Sequence, residues 1–313
     1  MTKTILKAWR GVLPATLFLV LLAPAALAAP TGAQILLAMK RAEREVSSRG
    51  TLVVQRPGAP TIKARVWKSG AKRRLEFLAP KIMSGDILLD DGTYIRRYHK
   101  SEKNAVQTRS APASSLDLGW KQLQSRYDAK VSGAATVAKR KAWIVTLAPR
   151  GSRKVIRKFW IDQKNKAQLR VEHYSNGRRS ETMVLQSVAF EKVPAAKFVW
   201  STPSGAKLTK TGGTMFPRAA QAKTVANWLK LPSSPPSGYA FESAIVDNSK
   251  REAWLRYTNG LNRFSIFQQR ANDNKTSPPK RINGAWFWQS GGFRFLVVGL
   301  SQAGAKQVAG QMS

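Results

Sequence analysis

Residues 31–48 place Ile35, Met39, Ala42 and Val46 at spacings of four, three and four, the stripe of an amphipathic helix with Thr31 as its N-cap. A long series of period-two segments follows. Ile62, Ala64 and Val66 alternate with Lys63, Arg65 and Trp67, and Leu75 and Phe77 alternate with Arg74 and Glu76, as half-buried antiparallel strands do. Strands are expected at 51–55, 61–68, 73–78, 86–89 and 93–98, separated by Pro57-Gly58, Ser69-Gly70, Pro80 and the hairpin turn Asp90-Asp91-Gly92. A helix then interrupts at 114–128, where Leu116, Trp120, Leu123 and Tyr127 again step by four, three and four. Strands resume at 141–147, 154–161, 168–174 and 181–190, and 198–200 closes the region. The order predicts an α+β fold, a large curved antiparallel sheet with helices on one face.

The pattern breaks between residues 203 and 238, where Thr211-Gly212-Gly213 and the Pro/Ser-rich stretch 232–238 bracket a helix expected at 219–230, packing through Val225, Trp228 and Leu229. The chain therefore divides into a leader at 1–28, a large domain at 29–208, a linker with a short helix at 209–238 and a smaller α+β domain at 239–313. In the last part strands are expected at 239–246, 252–257, 261–269, 285–289 and 293–299. Residues 270–282 read as a mobile loop, and a closing helix buries Ala305, Val308 and Met312. The stretch YTNGLNRFSIFQQ at 257–269 reads as a hairpin, with Thr258-Asn259-Gly260 as its turn.

The leader settles the expected address. Lys3, Lys7 and Arg10, the apolar run 17–22 and Ala26-Leu27-Ala28 have the layout of a cleaved signal peptide, so the mature protein is expected in the periplasm. The chain has no cysteine, which removes disulfides, thiolate metal sites and the lipidated Cys of a lipoprotein. Its 53 Lys and Arg against 17 Asp and Glu leave a net charge of +36, of which the leader supplies only three. Such a surface attracts acidic lipid headgroups, lipopolysaccharide or an acidic protein segment, and export argues against nucleic acid. The same excess also fits a merely soluble surface.

The inventory of reactive groups argues against an enzyme. His99 and His173 are the only histidines, no Gly-x-Ser-x-Gly elbow occurs, and neither histidine has companions at metal-ligand spacing. Asp90-Asp91-Gly92 is a turn signal, and no calcium loop or phosphate-binding glycine loop is present. No cofactor or metal is expected. Aromatic residues on different strands, Trp67, Phe77, Tyr94, Trp143, Phe159 and Trp160, are candidates to line a cavity for an acyl chain, the alternative being that they are core.

The order of elements, with Phe159-Trp160-Ile161-Asp162, Gln168–Glu172 and Phe198-Val199-Trp200-Ser201-Thr202-Pro203-Ser204-Gly205, resembles the LolA/LolB lipoprotein-carrier fold, a half-open β-barrel closed by helices. Tyr257-Thr258-Asn259-Gly260-Leu261 and Phe264-Ser265-Ile266-Phe267 resemble the "YSDGL…SVF" stretch of the RseB/MucB family, with Asn259 in place of the usual acidic residue. Gly292-Phe293-Arg294, Val297-Val298-Gly299 and the closing helix resemble the end of that family's second domain. The resemblance implies a periplasmic negative regulator of the envelope stress response. Such a protein binds the periplasmic segment of a membrane-spanning anti-sigma factor and protects it from proteolysis. It senses lipopolysaccharide or lipoprotein acyl chains through an apolar cavity. Tyr257, Leu261, Phe264 and Phe267 are then candidates to touch the partner, or else core of the small domain. A lipid or lipoprotein carrier of the LolA type is the alternative function.

Overall fold

A computed structural model of the chain describes residues 29–110, 114–236 and 238–312, the backbone alone over 114–118. The expected leader at 1–28 lies outside the described residues. Helix α1 (Gly32–Glu45) opens with a reciprocal cap: the Gln34 amide donates to Thr31 Oγ1, and the Thr31 amide donates to Gln34 Oε1. Ile35, Leu36, Met39 and Ala42 are buried, while Val46 lies just past the helix end as its C-cap.

Twelve strands form the first sheet: β1 (Ser48–Gln55), β2 (Ile62–Ser69), β3 (Lys72–Ala79), β4 (Ile87–Asp90), β5 (Tyr94–His99), β6 (Asn104–Arg109), β7 (Tyr127–Val137), β8 (Arg140–Pro149), β9 (Arg157–Asp162), β10 (Gln168–Ser175), β11 (Arg178–Ala189) and β12 (Lys207–Lys210). Their order is β12-β6-β5-β4-β3-β2-β1-β11-β10-β9-β8-β7, and only β12 runs parallel to its neighbour, β6. Helix α2 (Ser114–Arg126) connects β6 to β7. The expected helix runs two residues too far, since Tyr127 begins β7. Strand β7 carries no alternating apolar signal, and most of its residues are exposed. It exists because it pairs with β8 along its whole length. Its hairpin turns on Ala138 and Lys139, both at positive φ, without the Asn or Gly that usually marks such a turn.

A second sheet holds β13 (Thr214–Phe216), β14 (Ala240–Asp247), β15 (Glu252–Thr258), β16 (Arg263–Arg270), β17 (Ser277–Ile282), β18 (Ala285–Ser290) and β19 (Phe293–Val298), in the order β13-β14-β15-β16-β19-β18-β17. Helix α3 (Ala219–Val225) and helix α4 (Gln302–Gln311) belong to this part. Helix α3 stops five residues before its expected end and leaves Val225 exposed. Leu229, beyond it, is fully buried, and Trp228 stacks on Phe293 at 5.8 Å. The expected loop 270–282 contains edge strand β17, whose register slips between Ser277 and Lys280 around Pro278 and Pro279. An edge is where a sheet tolerates residues without an amide hydrogen.

The second sheet packs its core on one face, with Leu255, Ile266, Trp288, Phe295 and Val297 meeting Ala305 and Val308 of α4. The first sheet is covered by α1 and α2 on one face at its β7–β11 end. Val145, Leu147, Phe159, Ile161 and Val171 lie under α1 and Leu123 of α2. Ala142, Trp160 and Leu169 form a separate cluster on the other side. Residues 31–313 cluster as one compact unit.

Candidate functional site

Cross-strand partners share a face of a sheet, so the register traces each face directly. The row Val145–Phe159–Val171–Met183–Val54–Ile62 crosses six strands on the face that α1 and α2 cover. Beyond the helices this face continues through Leu52, Val66, Phe77, Leu75 and Leu88, all half-buried. An apolar surface left partly open beside a filled core has the chemistry to receive a hydrocarbon chain.

The six aromatic candidates divide three and three. Phe77, Trp143 and Phe159 stand on the helix-covered face. Trp67, Tyr94 and Trp160 stand on the opposite one, so the six do not line a single cavity. Phe159 is fully packed in the core, and Trp143 flanks it with Lys166 over its ring. On the opposite face Trp67 is held by Leu89, Val193, Phe198 and Trp200. Tyr94 lies between the guanidinium groups of Arg96 and Arg109, and Arg170 covers Trp160 at 4.6 Å. The strand assignments were legible in the sequence, but which rings end up facing together depends on the strand pairing, whose register shifts between β1 and β11, β2 and β3, β9 and β10, and β10 and β11.

The four candidates on the β15–β16 hairpin also have different fates. Tyr257 and Phe264 are 2% and 1% exposed and stack at 4.7 Å, inside the second core. Burial pushes the Tyr257 phenol well above its ordinary value. Phe267 is on the other face, exposed, and stacked on Trp254. Leu261, at the turn, packs into the core of the first sheet.

That turn is the joint between the sheets. Asn259 Oδ1 accepts from the amides of Leu261 and Asn262, and Thr258 Oγ1 accepts from the amide of Gly260. Asn259 therefore closes the turn by the same side-chain-to-amide bonds that an acidic residue would make. Arg157 of β9 donates to Leu261 O at 3.0 Å and to Asn262 Oδ1 at 2.8 Å. Burial lowers the Arg157 pKa, and the neighbouring Tyr127 and Glu181 partly offset it. A cavity of about 140 Å³ lies here, lined among others by Leu36, Trp120, Leu123, Arg157, Phe159 and Leu261. Sequence reading assigned the turn but not Arg157, whose place is set 104 residues away from Leu261.

Other reactive groups have local partners. Asp90 and Asp91 accept the amides of Gly92, Thr93 and Tyr94, which makes them turn residues. His99 faces Asp86 at 3.1 Å, and His173, its pKa lowered mainly by burial, faces Glu181 at 3.5 Å. Among the described residues no three His, Cys, Asp or Glu gather where a metal would sit. None of the described helices is long and apolar enough to cross a membrane.

No curated protein matches this sequence. The fold is similar to the crystal structure of MucB in complex with MucA(peri), at 19% identity and a TM-score of 0.56, covering 89% of this chain and 97% of that one. It is similar also to the Pseudomonas aeruginosa MucA/MucB complex structure, at 17% identity and a TM-score of 0.57, covering 89% and 96%. MucB solved alone gives 19% identity and a TM-score of 0.57 over 90% and 96%. At these identities the likeness is one of fold, and it spans both sheets. The family model for the MucB/RseB N-terminal domain matches residues 31–202, more than half of the chain, and the chain belongs to the MucB/RseB family.

Proposed function

We propose that the protein is a periplasmic negative regulator that binds the periplasmic segment of an anti-sigma factor and protects it from proteolysis. It acts by binding, not by catalysis, and lipid or lipopolysaccharide weakens the protection. The observation that carries this reading is the two-sheet arrangement. It is shared along 89% of the chain with MucB, a protein solved in complex with MucA(peri). The two sheets supply two sites with coupled affinities. The half-open apolar face of the first sheet receives acyl chains, and Phe77 is its one aromatic candidate outside the packed helix-covered core. The joint at Arg157 and the 258–262 turn passes the change to the second sheet. The division at 29–208, 209–238 and 239–313 is proposed on the same basis, with residues 211–213 joining the last strand of one sheet to the first of the other.

The test is proteolysis in trans. The purified mature protein is added to the periplasmic segment of a candidate anti-sigma factor and its site-one protease. Cutting is expected to slow in proportion to the protein added and to recover when lipopolysaccharide is supplied. Unchanged cutting at every protein ratio sinks the regulator reading. The open apolar face of the first sheet also suits a carrier of the LolA type. That reading predicts acyl chains that travel with the protein to a membrane acceptor without any effect on the protease.

A further inference from the structure

Among the described residues nine large apolar side chains are exposed, and four of them, Phe267, Ile282, Leu296 and Val298, lie on one face of the second sheet. This is the face away from that sheet's core. The register draws a continuous row Trp254–Phe267–Leu296–Phe287 across β15, β16, β19 and β18, and the next partner in line is Lys280 of β17. Val298, Ala285 and Ile282 form a second row beside it. Clustered exposed apolar surface of this kind marks an interaction site, whereas scattered single residues do not.

We infer that this outer face docks an amphipathic helix of a protein partner, with its apolar side on the row and its carboxylates toward Arg294 and Lys280. Arg294 stands two residues from Leu296 on the same face. Among the described residues no carboxylate lies within salt-bridge distance of either cation. Asp247 and Glu252 lie on the β14–β15 side of the face, in the row Asp247–Glu252–Gln269–Arg294, Glu242 is paired with Arg263, and Asp273 is within electrostatic reach of Arg294. Asp247 accepts the amides of its own turn, and Glu252 accepts from Gln269. The face is thus apolar along its middle, with Arg294 and Lys280 on its β17–β19 side and neither held in a salt bridge among the described residues, which favours a partner with acidic flanks there. Neighbouring strands are about 4.8 Å apart, so the row from Trp254 to Lys280 spans about 19 Å. That is the length of about 13 helical residues, roughly three and a half turns.

Other occupants fit less well. A second copy would bring the same cations against themselves on a chain of 53 basic and 17 acidic residues. A bilayer needs side chains that project into it, and Phe267 and Leu296 are only 37% and 36% exposed, with Phe267 stacked on Trp254. Strand addition at the nearer edge is blocked by Pro278 and Pro279 of β17.

The partner's identity rests on the regulator reading, and the experiment separates the two. The full mature chain, a Phe267→Gln/Leu296→Gln double variant and an Arg294→Glu variant are titrated with the anti-sigma periplasmic segment by calorimetry. Far-UV circular dichroism and thermal unfolding are recorded for each. The double variant is expected to bind about thirtyfold more weakly, and Arg294→Glu about fivefold more weakly, a deficit that shrinks at high salt. Segment binding by the wild type that both variants retain unchanged overturns the docking face and leaves the regulator reading standing. Failure of the wild type itself to bind removes the regulator reading and this inference with it. A wild-type dimer that the double variant dissolves, or loss only of binding to phosphatidylglycerol vesicles, also overturns it in favour of those occupants. Should the double variant misfold, Arg294→Glu decides, because it leaves the apolar row intact.

Discussion

Asp162 at the end of β9 is 1% exposed, yet it keeps a charge. Burial alone would raise its pKa. The Arg140 guanidinium and the amides of Asn165 and Lys164 outweigh that and hold it below the ordinary 3.8. A carboxyl with a depressed folded pKa contributes stability that is complete above the unfolded value and is lost as pH falls through the folded one. Thermal stability of the wild type should therefore decline below about pH 4, with a shallower decline in Asp162→Asn. At neutral pH that variant should be less stable by about 2 kcal/mol, because Arg140 loses its partner. Parallel acid dependences in the two proteins would show that Asp162 is not the group responsible. Nothing in the sequence distinguishes Asp162 from Asp128, which is far more exposed. The difference is made by Arg140, 22 residues away on a neighbouring strand.

At the scale of elements, the hairpin turn at 258–262 and helix α2 touch backbone to backbone. A methyl group on Gly260, which also has φ +89°, would come within 2.3 Å of Gly119 O and 2.8 Å of Leu123 N. Gly92 has nearly the same φ, but no atom lies within 4 Å of its would-be Cβ. Both Ala substitutions strain the turn, and only one also forces α2 away. Gly260→Ala is expected to cost about 3 kcal/mol in urea unfolding, against about 1 kcal/mol for Gly92→Ala. Equal losses would mean that the joint tolerates displacement. Elements with a strong period were legible, among them α1, β2, β3 and most of β8–β11. Those missed were β6, β7, β12, β13 and β17, all at or next to a sheet edge, where a strand is held by a partner's ladder and not by an apolar alternation of its own, and the strand expected at 198–200 does not form.

Across the whole molecule the charge is too large to be local. A net +36 makes association with an acidic segment fast at low ionic strength and slower once the field is screened. The association rate should fall by about tenfold between about 0.05 and about 0.5 M salt, with the dissociation rate changing far less. Stopped-flow measurement over that range decides. A salt-independent rate would assign the basic surface to solubility alone.

The sequence by itself determined the α+β class, the run of antiparallel strands, the hairpin turns and the absence of thiol chemistry. Each of these follows from local periodicity, turn residues or composition. Family resemblance was legible as well, in the hairpin at 257–269. Only the tertiary structure decided which side chains face together. Alternation already sets the adjacent Phe159 and Trp160 apart, but which rings of other strands join each of them is fixed by the pairing register. Tertiary packing likewise sent Tyr257 and Phe264 into one core, Leu261 into the other and Phe267 to the surface. A strand's alternation fixes which residues point apart, but what waits on each side is supplied by segments more than a hundred residues away.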